Sequence, residues 1–266
     1  MAKKQPAILV GPFLGELKWE LYRFSPYIIH LKKKNPSCRI IVYTRASRFD
    51  LYGAYADVLV SLKLKSNNKE NQKCFYYKDF PKENYLHLSK VFNQQYEKKF
   101  NIIGHIYPKV NDFYYKLKWQ FPRNSMDYDF KPRSDNSKLI QKFINNFNSS
   151  DMVFYNYPQS DQLNKLKNNN KYNFISTDYF FEYFEDETEY MNISFIGCII
   201  ELIKRCKFVL SDFTSEISLL SLLLKKPLIT LSQISDDEIH LSNPYNTPVI
   251  KCDTLMRGFE YYENKF

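Results

Sequence analysis

Two of the six glycines in this 266-residue chain, Gly11 and Gly15, fall within one five-residue stretch, immediately after the first apolar run. Pro6 to Val10 reads as a short buried strand, and Leu17, Leu21, Phe24, Ile28 and Leu31 recur at helical spacing. The glycines therefore occupy a strand-to-helix turn. Open α/β sheets bind ligands at such turns: glycine lets the backbone approach closely, and the free amides and positive end of the following helix attract an anion. The same two glycines also suit a chain that has only to turn and pack.

With 44% apolar and 17% aromatic residues, the chain has enough material for one large core or two small ones, which excludes general disorder. The opening Met-Ala-Lys-Lys-Gln-Pro is not followed by a long apolar stretch, and the greasiest segments, 193–203 and 217–224, are too short to span a bilayer. The expectation is a cytoplasmic protein with no transmembrane segment. Five cysteines, odd in number, scattered and without a Cys-x-x-Cys pair, fit a reducing compartment and argue against a zinc cage.

The net charge of +9 is unevenly placed. Up to Arg133 there are 25 Lys+Arg against 11 Asp+Glu, and the remainder has 13 against 18. A basic first half favours anionic partners, nucleic acid or phosphorylated carriers. The plainer reading is that a bias toward lysine has loaded solvated faces.

The order of elements divides the chain in the same place. Strand 6–10, helix 16–34, strand 39–44 and the apolar run 57–62 make a β-α-β opening with parallel pairing. A polar, lysine-rich stretch follows at 63–84, with helices expected over 86–100 and 108–121. Residues Lys131 to Ser137 have linker character. Beyond them come helix 139–147, strand 152–155, helix 160–167, strand 172–176, helix 190–206, strand 207–211, helix 215–225 and strand 227–232. No repeat of fixed period is visible.

The second informative segment runs from Lys207 to Leu231. A buried strand ends at Ser211-Asp212, Thr214 or Ser215 caps the next helix, and Lys-Lys-Pro leads into another apolar strand. Hydroxyls plus free helix amides make a diphosphate cradle, although Ser or Thr before a helix also serves as a plain N-cap. This order of strand, Ser/Thr-rich turn, helix and Lys-Pro-Leu-Ile strand resembles the donor half of GT-B glycosyltransferases, and Asn243-Pro244 is similar to heptosyltransferase- and fucosyltransferase-like members. The opening Gly-Pro-Phe-Leu-Gly-Glu and the stretch Arg45 to Gly53 resemble the first Gly-rich turn of that family's acceptor half.

The resemblance implies an α/β fold of two Rossmann-like domains facing across a cleft, a compact GT-B arrangement with an acceptor-side domain over 1–133 and a donor domain over 138–266. It implies transfer of a sugar from a nucleotide-sugar donor to a hydroxyl on a glycan or glycolipid, with the donor as co-substrate and no further cofactor. Such folds usually work without a metal, because helix amides and basic side chains offset the diphosphate charge. The four histidines show no ligand spacing, and Asp127-Tyr-Asp129 is read as a loop feature.

Glu16, just past Gly15, stands where heptosyltransferase-like enzymes carry an acidic residue and is the expected general base. Glu20, one turn on, either joins the site or caps the helix or pairs with Arg23. Arg45 and Arg48 follow the second strand and either hold a phosphate or pair with Asp50. Thr214, Ser215 and Glu216 are the expected donor contacts, with Tyr157 to Gln159 as a second group and Asp178 near the nucleotide. The aromatic cluster 179–184 either stacks on base or sugar or packs in the core.

Other chemistries lack their signatures. There is no phosphate-binding Walker loop, Gly-x-Ser-x-Gly elbow or His-Glu-x-x-His pair, and Gly-x-x-x-Gly is not the dinucleotide fingerprint. Strand 39–44 ends in Thr-Arg, not in a ribose-binding acid. Two alternatives stay open: the same catalysis on modified DNA, and a nucleotide- or nucleic-acid-binding module without chemistry.

Overall fold

The computed structural model describes residues 4–13, 17–62, 82–108, 121–146, 151–158, 160–168, 171–176 and 195–266. The chain forms two compact α/β units, one of Met1–Arg133 with Asn192–Gly197, the other of Ser134–Met191 with Cys198–Phe266.

Unit 1 is built on a four-stranded parallel sheet in the order β3-β2-β1-β4, from Pro6–Val10 (β1), Arg39–Thr44 (β2), Val58–Ser61 (β3) and Asn101–Ile106 (β4). Ala7 pairs with Arg39 and Val10 with Val42, and the β1–β4 register shifts between Ala7 and Ile8. The inner strands are nearly continuous apolar runs, as burial on both faces demands. On one face Ala7, Leu9 and Ile41 pack with Phe92 and Tyr96 of the helix Lys82–Glu97. Phe13, Phe24, Tyr52 and Phe121 form a second aromatic cluster, with ring centroids 5.0–6.4 Å apart.

The helix expected over 16–34 is present but interrupted. Leu17–Trp19 is α, Glu20–Phe24 is a π turn, and Ser25–Lys34 is α again. Pro26 explains the break: it has no N–H for the carbonyl four residues back, Tyr22, and its ring crowds that carbonyl. The hydroxyl of Tyr128 donates to Tyr22 O instead, at 3.2 Å. The Ser25 N–H reaches back five residues to Glu20 O, and so does its hydroxyl at 2.8 Å. All five π-turn residues are buried.

Unit 1 closes on its own loops. Gly53 lies so close to Lys131 that a Cβ would collide with the Lys131 carbonyl, and Ala54 N donates to that same carbonyl at 3.2 Å. Arg133 reaches Asp50 through both its backbone N–H and its Nε, at 3.1 and 3.0 Å.

Unit 2 carries a five-stranded parallel sheet in the order β6-β5-β7-β8-β9, from Met152–Asn156 (β5), Asn173–Ser176 (β6), Phe208–Ser211 (β7), Leu228–Thr230 (β8) and Val249–Lys251 (β9). Its core joins Val153, Phe208, Leu210 and Ile229 to Leu163 and Leu166 of the helix Asp161–Lys167 and to Phe259 and Tyr262 of the helix Leu255–Lys265. The helices start on side-chain caps: Ser160 accepts from Leu163 N, Ser215 from Ser218 N, and Thr254 from Arg257 N. Ser235 and Glu238 form a reciprocal capping box.

The fold class is the expected one, α/β with two parallel sheets. Several elements differ from the sequence reading. Strand β4, strand β9 and the helices Asp236–Ser242 and Leu255–Lys265 were not expected. Residues Ser134–Ile144 are helix where a linker and a later helix start were read, and the helix expected at 86–100 spans Lys82–Glu97. The helix expected at 108–121 falls almost wholly outside the described residues. Among the described residues, no helix is long and apolar enough to cross a membrane.

Candidate functional site

In unit 2 the chain runs from β5 outward to β6 and then returns to place β7 on the other side of β5. The carboxyl ends of the strands at such a reversal are the usual ligand position in open α/β sheets. The residues leaving β5, β7 and β8 meet there in one hydrogen-bonded network.

Asp212, just past β7, is its centre. Its Oδ1 accepts from the Thr214 N–H at 3.0 Å, the Thr214 hydroxyl at 2.9 Å and the Ser232 hydroxyl at 2.9 Å. Thr230 donates to Ser232 at 3.1 Å, and Tyr157 lies 3.4 Å from Thr230 while accepting from Leu231 N at 2.9 Å. The Thr214 N–H, followed by the Ser232 and Thr214 hydroxyls, holds the exposed Asp212 carboxyl below the usual carboxylate range despite some burial. Burial raises the Tyr157 phenol, and the Asp212 charge adds to that rise.

The helix Glu216–Leu223 begins beneath this network. Ser215 Oγ accepts from Ser218 N at 3.1 Å and lies 2.6 Å from Ser211 Oγ, while the Ser218 hydroxyl donates to Asp212 O. The hydroxyls expected to cradle a diphosphate are thus engaged in the cap. Two acids, Asp212 and Glu216, stand at this helix end, where they complement its positive pole themselves.

Tyr157, Thr214 and Ser215 are therefore brought together, with Glu216 next in the chain. Gln159, Asp178 and the cluster 179–184 lie outside the described residues. Asp212, Thr230 and Ser232 received no role from the sequence. The available signal was a polar residue at the end of each of two neighbouring apolar strands.

In unit 1 the reversal lies between β1 and β4. Gly11, just past β1, has φ +89°, a left-handed conformation, and a Cβ there would collide with the Tyr43 carbonyl. Its N–H donates to Ile106 O at 2.8 Å, and its carbonyl lies 2.9 Å from His105 Nε2, which donates to it. Burial holds His105 below the ordinary histidine value, although the bond to Gly11 works the other way. Gly15 and Glu16 lie outside the described residues.

The residues after β2 correct two expectations. Arg48 is 1% exposed and its guanidinium is paired with Glu20, itself 0% exposed; it does not face outward to hold a phosphate. Glu20 is therefore neither a solvated helix residue nor a partner of Arg23. Tyr52 OH donates to its second oxygen at 2.5 Å. Burial raises the Glu20 pKa, and Arg48 and Tyr52 oppose that rise. Asp50 is held by Arg133. Arg45 is buried and close enough for its charge to act on Glu20.

Asp127 and Asp129 bind Lys33 at 2.7 and 3.0 Å, and Asp129 also takes Lys131 at 3.1 Å and the Tyr55 hydroxyl at 2.5 Å. Against some burial, Tyr55, Lys33 and Lys131 hold Asp129 at about 2. Among the described residues, no three His, Cys, Asp or Glu side chains are grouped to hold a metal ion.

No protein-family model matches the chain, and no curated protein matches it in sequence. Its structure is similar to solved ones. A glycosyl transferase family 9 protein from Veillonella parvula matches at TM-score 0.54 with 11% identity, over 98% of this chain and 89% of that one. The ADP-heptose LPS heptosyltransferase II of E. coli matches at 0.53 with 10% identity, over 92% and 90%. A UDP-GlcNAc 2-epimerase from Methanocaldococcus jannaschii matches at 0.43 with 11% identity, over 97% and 91%. At these identities the first two show a shared fold, that of the GT-B glycosyltransferases.

Proposed function

We propose that this chain is a nucleotide-sugar-dependent glycosyltransferase that delivers a sugar to a hydroxyl of a glycan or glycolipid. The observation that supports the reading is the Asp212 network at the β5/β7 reversal. An ionised carboxylate with one oxygen fixed by its own turn offers the other to ligand hydroxyls, such as those of a ribose or a transferred sugar. Asp212 and Glu216 repel phosphate, so in this reading the hydroxyl-bearing part of the donor lies against Thr214, Ser215 and Asp212. Tyr157, Gln159 and Asp178 extend the donor contacts.

On the acceptor side, Gly11 and Gly15 shape the turn and Glu16 takes the proton of the attacking hydroxyl. The new bond forms at the anomeric carbon as the bond to the diphosphate oxygen breaks, and the diphosphate departs with both electrons of that bond. Helix amides and basic side chains offset the leaving charge without a metal.

The test has two stages. Melting curves with ADP, GDP, UDP and their sugar conjugates are expected to show a rise in Tm for one nucleotide series, because a ligand that binds only the native state stabilises it. No rise with any of them overturns the proposal. With the donor identified, Glu16→Gln is expected to lower turnover at least about a hundredfold, and unchanged turnover removes Glu16 as the base.

A further inference from the structure

Among its described residues, unit 1 buries five charged side chains, Glu20, Arg23, Arg45, Arg48 and Asp50. Both carboxylates are matched, Glu20 by Arg48 and Asp50 by Arg133. Arg23 is not. It is 7% exposed, its Nε and Nη1 are buried without a hydrogen-bond partner, and among the described residues it forms no ion pair. Its guanidinium faces a π system: the guanidinium carbon stands 4.6 Å from the centroid of the Tyr22 ring, which in turn stacks on Tyr128 at 6.1 Å.

Such a group is costly. A guanidinium does not shed its proton to escape a dry site, so it remains charged, and a ring face replaces only part of the hydration it has lost. An apolar side chain of the same length would pack the position with no such penalty. Arg23 also cannot swing freely, because it lies in the π turn that Pro26 and Tyr128 define, where every residue is buried. The arrangement is a fixed cation on an aromatic wall, with Nε and Nη1 directed at no oxygen of the described residues.

We propose that Arg23 is the anion-recognising residue of unit 1 and receives a single oxyanion, a phosphate or carboxylate group carried by the acceptor. The proposal rests on the glycosyltransferase reading for the word acceptor, and on the geometry of Arg23 alone for the anion. It assigns to Arg23 the task that Arg48, locked onto Glu20, does not perform.

The experiment compares melting of the full chain in sodium chloride, sodium phosphate and sodium acetate at matched pH and ionic strength, for the wild type and for Arg23→Met. The wild type is expected to melt roughly 2–4 °C higher in one of the two oxyanions than in chloride. Arg23→Met is expected to lose that rise while melting no lower than the wild type in chloride, because an uncompensated buried charge is gone. A rise in phosphate alone assigns a phosphorylated acceptor, and a rise in acetate alone a carboxylated one. Absence of any rise in the wild type, or the same rise in Arg23→Met, overturns the proposal. So does a fall of several degrees for Arg23→Met in chloride. Where Arg23→Met does not fold, Arg23→Gln carries the same comparison. Nucleotide-induced shifts, which test the donor side, are expected to be equal in wild type and variant, so loss of the anion site and failure of the glycosyltransferase reading give different results.

Discussion

The hydroxyl of Tyr128 donates to the carbonyl of Tyr22 across 106 residues of sequence, supplying the hydrogen that Pro26 lacks. The pair links the aromatic tail of unit 1 to its first helix and is coupled to the proline. Tyr128→Phe is expected to cost about 1–2 kcal/mol, because a buried carbonyl loses its partner. In a Pro26→Ala background, where residue 26 again offers an N–H, the same change is expected to cost less. Urea unfolding of the four proteins measures the coupling, and strictly additive losses would contradict this origin of the π turn.

The Glu20–Arg48 pair is buried on both sides. Arg48→Met strands a carboxylate and is expected to destabilise by about 3–5 kcal/mol, whereas Glu20→Leu with Arg48→Met is expected to cost far less than the single change. Because burial raises the folded pKa of Glu20 above its unfolded value near 4.5, its stabilising contribution is complete below that value and is lost as pH rises through the folded pKa. The cost of Arg48→Met is therefore expected to grow between pH 4.5 and neutrality, which denaturant titrations at several pH values read directly.

Asp129 behaves in the opposite sense. Held at about 2 against an ordinary 3.8, it stabilises above 3.8 and loses that contribution as pH falls toward 2. Asp129→Asn is expected to lower Tm at pH 7 and to have little effect at pH 2. An equal effect at both would show that the ion pairs with Lys33 and Lys131 do not act.

At the crest of unit 2, Asp212→Asn keeps the acceptor oxygen for Thr214 and Ser232 but removes the charge. It is expected to weaken binding of the nucleotide sugar roughly tenfold or more while leaving the unfolding midpoint within about 1 °C. Calorimetric titration beside a melting curve separates the two quantities. Equal affinity in both proteins would remove Asp212 from the donor site.

The strands β1, β2, β5 and β7 were legible because each contains a run of at least three consecutive buried apolar residues. Strand β4 was not, because Asn101, Gly104 and His105 interrupt an edge strand whose residues are mostly half-exposed. The helix Asp236–Ser242 buries none of its residues, so it carries no periodicity to find. The turns after β5 and β7 stood out through their hydroxyls, yet the role of Asp212 depends on Ser232, which only the sheet order brings alongside. Arg48 read as outward-facing because its partner, Glu20, lies 28 residues earlier and on another element.

Residues 131–133 fasten onto the loop at 50–54 through Gly53, Ala54 and Asp50. The long first segment of this unit is in this respect a ring whose clasp is its own end. During synthesis the ribosome releases that clasp only after all four strands of the sheet have been made, so this segment is expected to stay sensitive to proteases until Arg133 has emerged, and to gain resistance thereafter.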